Sequence, residues 1–180
     1  MKTIRIDRAP ALTLWASVVA ERLGWSHATA LTLGHAVAGM TAHAKGVPHD
    51  TIAQSDDRQH EPAPSPPVEV TGAVRDVPLL GRIVRVALTT EGPRAITKNA
   101  QVKPEAVERY LRDKFGSQLC AALSAMERLA ATMPKDMLND EAFHLYEYFR
   151  PVVPSDERGA KGVLDLDRIH ALVRTKRQQE

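Results

Sequence analysis

The sequence is short of cysteine, aromatic residues, long apolar runs and charge of one sign. Each shortage closes off a class of protein. Cys120 is the only cysteine, so no intramolecular disulfide can form and a cage of thiolates around a metal is out of reach. Such usage favours a reducing compartment. Aromatic residues make up 4% of the chain, so any core must rest on Leu, Val, Ala and Met. No apolar stretch approaches the ~20 residues needed to span a bilayer, and no membrane partner is expected. The formal net charge is only +2. Dedicated nucleic-acid domains concentrate a larger basic excess on one face, so bulk charge neither demands nor forbids such a partner. Glycine motifs are equally sparse. The chain has no Gly-x-Ser-x-Gly elbow, Walker loop or dinucleotide fingerprint, and no cofactor is expected.

What is present suits one large domain or two small ones in 180 residues, enough to bury a genuine core. Lys2, Arg5 and Arg8 precede an apolar stretch from Ala9 to Ala20, and Val18-Val19-Ala20 has the small-residue form of a signal-peptidase site. Against export stand Asp7, the interruptions at Pro10, Thr13 and Ser17, and a helical pattern that continues through Glu21-Arg22-Leu23. A cytoplasmic protein is the expectation.

A first helix is predicted from Pro10, with Leu12, Trp15, Val18 or Val19, and Leu23 at helical spacing. Gly24 supplies a left-handed stop. Ser26 is a good N-cap for a second helix running to about Lys45, before Gly46 and Pro48. This helix is rich in Ala and contains Gly34 and Gly39. Each internal glycine costs about 1 kcal/mol of helix propensity, so close packing must compensate. Residues 50–67 hold four prolines and few apolar side chains, the composition of an extended linker. Val68, Val70 and Val74 suggest one strand, and Ile83, Val84, Val86 and Leu88 another. Glu91-Gly92-Pro93 is a turn, after which Arg94 to Thr97 pairs back. Two or three strands cannot stand alone, so they must lie on the helices. Helices then follow from Pro104 to Gly116, through Leu119 to Met133, through Leu138 to Phe149, and through Ile169 to Val173. The fold class is therefore α+β and predominantly helical. Residues 1–49 form a helical hairpin, 50–67 a Pro-rich linker, 68–98 a β-hairpin and 99–180 a helical bundle. Trp15 and Trp25 anchor the first part, and Phe143, Tyr146, Tyr148 and Phe149 anchor the last.

The most suggestive segment for function is Ala16 to Ala38. A helix-turn-helix needs a small residue, a turn glycine and a polar-capped second helix, and Ala20, Gly24 and Ser26 fall in that order. The second helix would offer Ser26, His27, Thr29, Thr32 and His35 to a groove of duplex DNA. It lacks the Arg, Lys, Asn and Gln that usually read bases, and an ordinary αα-hairpin asks for the same turn chemistry. Arg82 and Arg85, with Arg94 nearby, could form a phosphate-tracking ridge on the hairpin, although the odd separation of the first two does not favour one face. Other basic groups are Arg109, Arg112 and Lys114, and Arg174, Lys176 and Arg177. Solvated faces are their ordinary explanation.

His27, His35 and His43 recur at intervals of eight, which turns each about 80° from the last. They spiral instead of sharing a face. Glu141 and His144 do share one, but the second such motif that helical metal sites require is missing. No metal is expected. Cys120 reads as a small buried core residue. Gly159-Ala160-Lys161-Gly162 reads as a surface loop, and Asp165 and Asp167 as caps of the last helix.

Leu12-Thr13-Leu14-Trp15-Ala16, Val19-Ala20-Glu21-Arg22-Leu23-Gly24 and Ala30-Leu31-Thr32-Leu33-Gly34 resemble a bacterial family of uncharacterised proteins. Val107-Glu108-Arg109-Tyr110-Leu111, Lys114-Phe115-Gly116 and Gly162-Val163-Leu164-Asp165-Leu166-Asp167 are similar to it too. The resemblance implies a bacterial, intracellular protein and carries no activity, ligand or catalytic residue. Three functional readings follow. The leading one is a non-enzymatic DNA-binding or regulatory protein with a helix-turn-helix-like segment. The second is a protein–protein module, a homodimer or adaptor, that uses the Ala/Gly-rich helix. The third is an enzyme built around Glu141, His144, Asp165 and Asp167.

Overall fold

The computed structural model describes residues 3–44, 74–97, 100–152 and 162–179. The Pro-rich segment, Val68, Val70, Gly46, Pro48, Gly159, Ala160 and Lys161 lie outside the described residues, as does the side chain of His43. In chain order come β1 (Thr3–Arg5), α1 (Arg8–Arg22), α2 (His27–Ala44), β2 (Val74–Leu79), β3 (Arg82–Thr89), β4 (Gly92–Thr97) and β5 (Ala100–Gln101). Then follow α3 (Pro104–Phe115), a 3-10 turn at Gly116–Gln118, α4 (Leu119–Ala131), α5 (Lys135–Phe149), β6 (Val163–Asp165) and α6 (Leu166–Gln178). The molecule is a predominantly helical α+β protein.

α1 is buried on every face from Pro10 to Ala20, which makes it an interior helix and not an amphipathic one. It begins at Arg8, two residues before the proline expected to open it. The N–H that Pro10 lacks belongs to the first turn, where no intrahelical partner exists. Gly24 has φ +110°, and the Trp25 N–H donates to the Ala20 carbonyl at 3.1 Å, closing the turn. Ser26 Oγ accepts from the Thr29 N–H at 3.3 Å, as its capping role requires. The glycine in mid-helix has its compensation. A Cβ on Gly34 would stand 2.5 Å from the Thr13 carbonyl and 2.9 Å from the Ser17 nitrogen, so only glycine lets the two helices approach this closely.

The Trp15 indole donates to the Ala142 carbonyl on α5 at 2.8 Å, and its ring meets Phe149 edge-on at 5.3 Å. The Tyr146 hydroxyl donates to the Arg8 carbonyl at 3.0 Å. The two aromatic regions expected at opposite ends of the chain are thus one cluster, and a single core runs from Ile4 to Val173. Tyr148 is a correction: it is 67% exposed, because its neighbours Tyr146 and Phe149 occupy the buried stripe of α5.

The sheet is antiparallel in the order β2-β3-β4-β5. Its first strand runs from Val74 to Leu79, with Pro78 tolerated on the edge. Leu80 and Gly81 form the hairpin turn with φ of +49° and +72°, the pairing a type I′ turn demands. Leucine is an unusual choice there, and α5 holds it in place. Asn139 Oδ1 accepts from the Leu80 N–H at 3.0 Å, and its amide donates to the Pro78 carbonyl at 3.1 Å. On the other side the sheet lies against α2. The Ala95 N–H donates to Thr32 Oγ1 at 3.1 Å, and the Thr29 hydroxyl donates to the Pro93 carbonyl at 2.8 Å. The Arg75 guanidinium sits over the Trp25 ring at 5.3 Å.

A second, two-stranded sheet joins β1 to β6, pairing Ile4 with Leu164. No helix among the described residues is long and apolar enough to cross a membrane.

Candidate functional site

α1 and α2 form an antiparallel hairpin. Gly34 meets Thr13 about ten residues on either side of Gly24, whereas helices crossing at the 90–120° of a helix-turn-helix diverge within a turn or two. The side chains predicted for a groove are accordingly dispersed. Ser26 is used as the cap. Thr32 is fully buried, donating to the Thr29 carbonyl at 2.7 Å and accepting from β4. His35 is half-buried with its ring edge-on to Tyr110 at 6.2 Å. Ser26 and His27 are exposed, and the His27 Nδ1 pairs with the Glu21 carboxylate. Over residues 27–41, whose side chains are described, α2 has no continuous outward edge to insert in a groove. The small side chains at Ala30, Ala36 and Ala38, proposed as a partner surface, are likewise buried within the chain.

The hairpin arginines do not form a ridge. Arg82 and Arg85 are separated by an odd number of residues along β3 and point to opposite faces, with Arg85 set across from Asp76. Arg94 is only 5% exposed. Its guanidinium donates to the carbonyls of Pro93 and Glu91 at 2.8 and 3.1 Å and to Thr29 Oγ1 at 3.3 Å. Its role is to tie the β3–β4 turn to the start of α2.

The basic side chains that do converge lie elsewhere. Arg128 from α4 and His170, Arg174 and Arg177 from α6 surround a cleft of about 490 Å³, floored by Val173. Among the described residues no carboxylate lines it. His170, Arg174 and Arg177 recur at i, i+4 and i+7, so they form one stripe along α6. The stripe faces Arg128 because α4 and α6 pack against each other, with Met126, Leu129, Ile169 and Val173 all buried in the shared core. None of the four makes a side-chain hydrogen bond or ion pair among the described residues, whereas Arg112 is paired with Glu108 at 2.6 Å. Elsewhere on α6, Asp165 Oδ1 accepts from the Asp167 N–H at 2.9 Å, the expected N-cap.

The signal for this cleft was half present in the sequence. Arg174 and Arg177 stood out as a basic group, but His170 was overlooked, although its spacing from them is helical. Arg128 sits more than forty residues away, and only packing brings it into place.

A second cleft of about 330 Å³ lies where the β2–β3 turn meets α5, lined by Arg82, Asn139, Asp140, Phe143 and His144 among others. Glu141, Asp165 and Asp167 do not line it, so the carboxylate–histidine constellation considered for an enzyme is not assembled there. No group of three or more His, Cys, Asp or Glu among the described residues is placed to hold a metal ion. Cys120 is exposed, correcting its assignment to the core. The buried stripe of α4 runs through Ala122, Ala125, Met126 and Leu129, and Cys120 is turned about 160° from Ala122.

Two tyrosines titrate abnormally. Burial pushes the Tyr110 phenol well above its ordinary range, with the Asp7 carboxylate adding to the effect. Burial does the same to Tyr146, against an opposing pull from Arg8 and Arg150. Neither lines either of these clefts. No family model, no curated protein and no solved structure matches the chain.

Proposed function

We propose that the protein is a non-enzymatic nucleic-acid-binding protein that holds the phosphate backbone of duplex DNA in the cleft between α4 and α6. One observation carries this reading: three arginines and a histidine surround one concavity with no acidic side chain among them. Cations brought together without counter-charges repel one another, and a polyanion relieves that repulsion while releasing its own counterions. The geometry also suits the ligand. From His170 to Arg177 the helix rises about 10 Å, comparable to the rise of three nucleotides along the duplex axis at about 3.4 Å each.

The test is fluorescence anisotropy with a labelled duplex at several salt concentrations. Three arginine contacts give a slope of log K against log salt near −2.7. R174E/R177E abolishes binding, while R85E/R109E, which changes the net charge equally, leaves it intact. A flat titration at low salt, or loss of binding in R85E/R109E alone, defeats the reading.

A further inference from the structure

We infer that His170 is a proton-controlled fourth phosphate contact in this cleft, so that the protein grips a nucleic acid more tightly as pH falls. The inference rests on the reading just given and adds its regulation. Histidine is the side chain whose charge ordinarily changes between about pH 5 and 8, and among the described residues His170 is the one histidine lining the cleft. It lies half-buried on the same stripe as Arg174 and Arg177 and opposite Arg128.

α6 packs against α4, α5 and β1. α4 presents Arg128 to the cleft, whereas α5 and β1 present no charged side chain to it. On α6 itself the neighbours are Arg174 and Arg177 in the cleft and Asp167 one turn earlier. No side-chain hydrogen bond or ion pair among the described residues occupies the imidazole, so it is available to a ligand.

A neutral imidazole can donate one hydrogen bond to a phosphate but displaces no counterion. Once protonated it counts as a fourth cation, and a phosphate beside it favours that charged form. Binding therefore takes up a proton. Each phosphate neutralised changes the salt slope by about 0.9, so the slope steepens from about −2.7 at pH 8 to about −3.6 at pH 5.5.

The experiment measures salt-dependent anisotropy at both pH values on the full chain. It is paired with calorimetry in two buffers of different ionisation heat, which reads the proton uptake directly. The wild type is expected to show the steeper slope at low pH and net proton uptake near neutrality. H170Q should hold the three-contact slope at both pH values and take up no proton. H170R should show the four-contact slope at both, again without uptake. A slope that does not change with pH, or proton uptake that persists in H170Q, overturns this inference and leaves the phosphate-binding reading standing. Absence of any DNA binding at pH 5.5 and at pH 8 removes both.

Discussion

Gly34 shows how much one missing methyl group can decide. On helix propensity alone, alanine there gains about 1 kcal/mol. The carbonyl of Thr13 and the nitrogen of Ser17 occupy the space its Cβ needs, and both are backbone atoms that cannot swing aside. G34A is therefore expected to lose about 1–3 kcal/mol, the usual cost of overpacking, read as a lower urea midpoint. The Ser17 hydroxyl crowds the same point, so S17A/G34A tests the cause. The double variant stays destabilised if backbone approach is responsible and recovers if only the hydroxyl clashed. The composition of α2 already implied a close neighbour here. It could not say which helix, because small residues advertise proximity without naming the partner. Cys120 and Tyr148 failed for a related reason: each sits one or two positions off a buried stripe, and a residue type cannot report the phase of its helix.

Among the elements, those with strong periodicity or punctuation were legible. Gly24, Ser26, Pro104 and Gly116 mark helix ends where the structure places them. The three-residue strands β1 and β6 were not legible, since so short a segment shows no alternation and gains its identity only from a distant partner. The β2–β3 turn was missed because Leu80 lacks the Asn, Asp or Gly usual at a left-handed position. What makes the turn viable is Asn139 on another element. N139A leaves the Leu80 N–H and the Pro78 carbonyl without their side-chain partner and is expected to cost about 0.5–1.5 kcal/mol, since the Pro78 bond is exposed. N139D keeps the acceptor for Leu80 and loses the donor to Pro78, so its urea midpoint should fall between those of wild type and N139A. If N139A unfolds at the wild-type midpoint, the clamp contributes nothing.

Over the whole molecule, the core carries a pH signature. Tyr110 and Tyr146 hold their protons in the folded state far beyond the ordinary tyrosine value of 10.0. The unfolded chain releases them from about pH 10 upward. The folded form then binds more protons than the unfolded one, so stability is full below pH 10 and declines as pH rises. Each tyrosine contributes a slope of up to about 1.4 kcal/mol per pH unit. Urea unfolding between pH 8 and 11.5 should show this decline, and Y110F should roughly halve it. An unchanged decline in Y110F would assign the effect to other groups. Long-range assembly is also what hid the candidate cleft, whose α6 stripe was readable while Arg128 was not. The pairing of Thr3–Arg5 with Val163–Asp165 extends that dependence to time. A ribosome releases the first strand long before its partner exists, so β1 must wait unpaired until β6, just before the last helix, has emerged. Long-range pairing of this kind is formed late and slows folding.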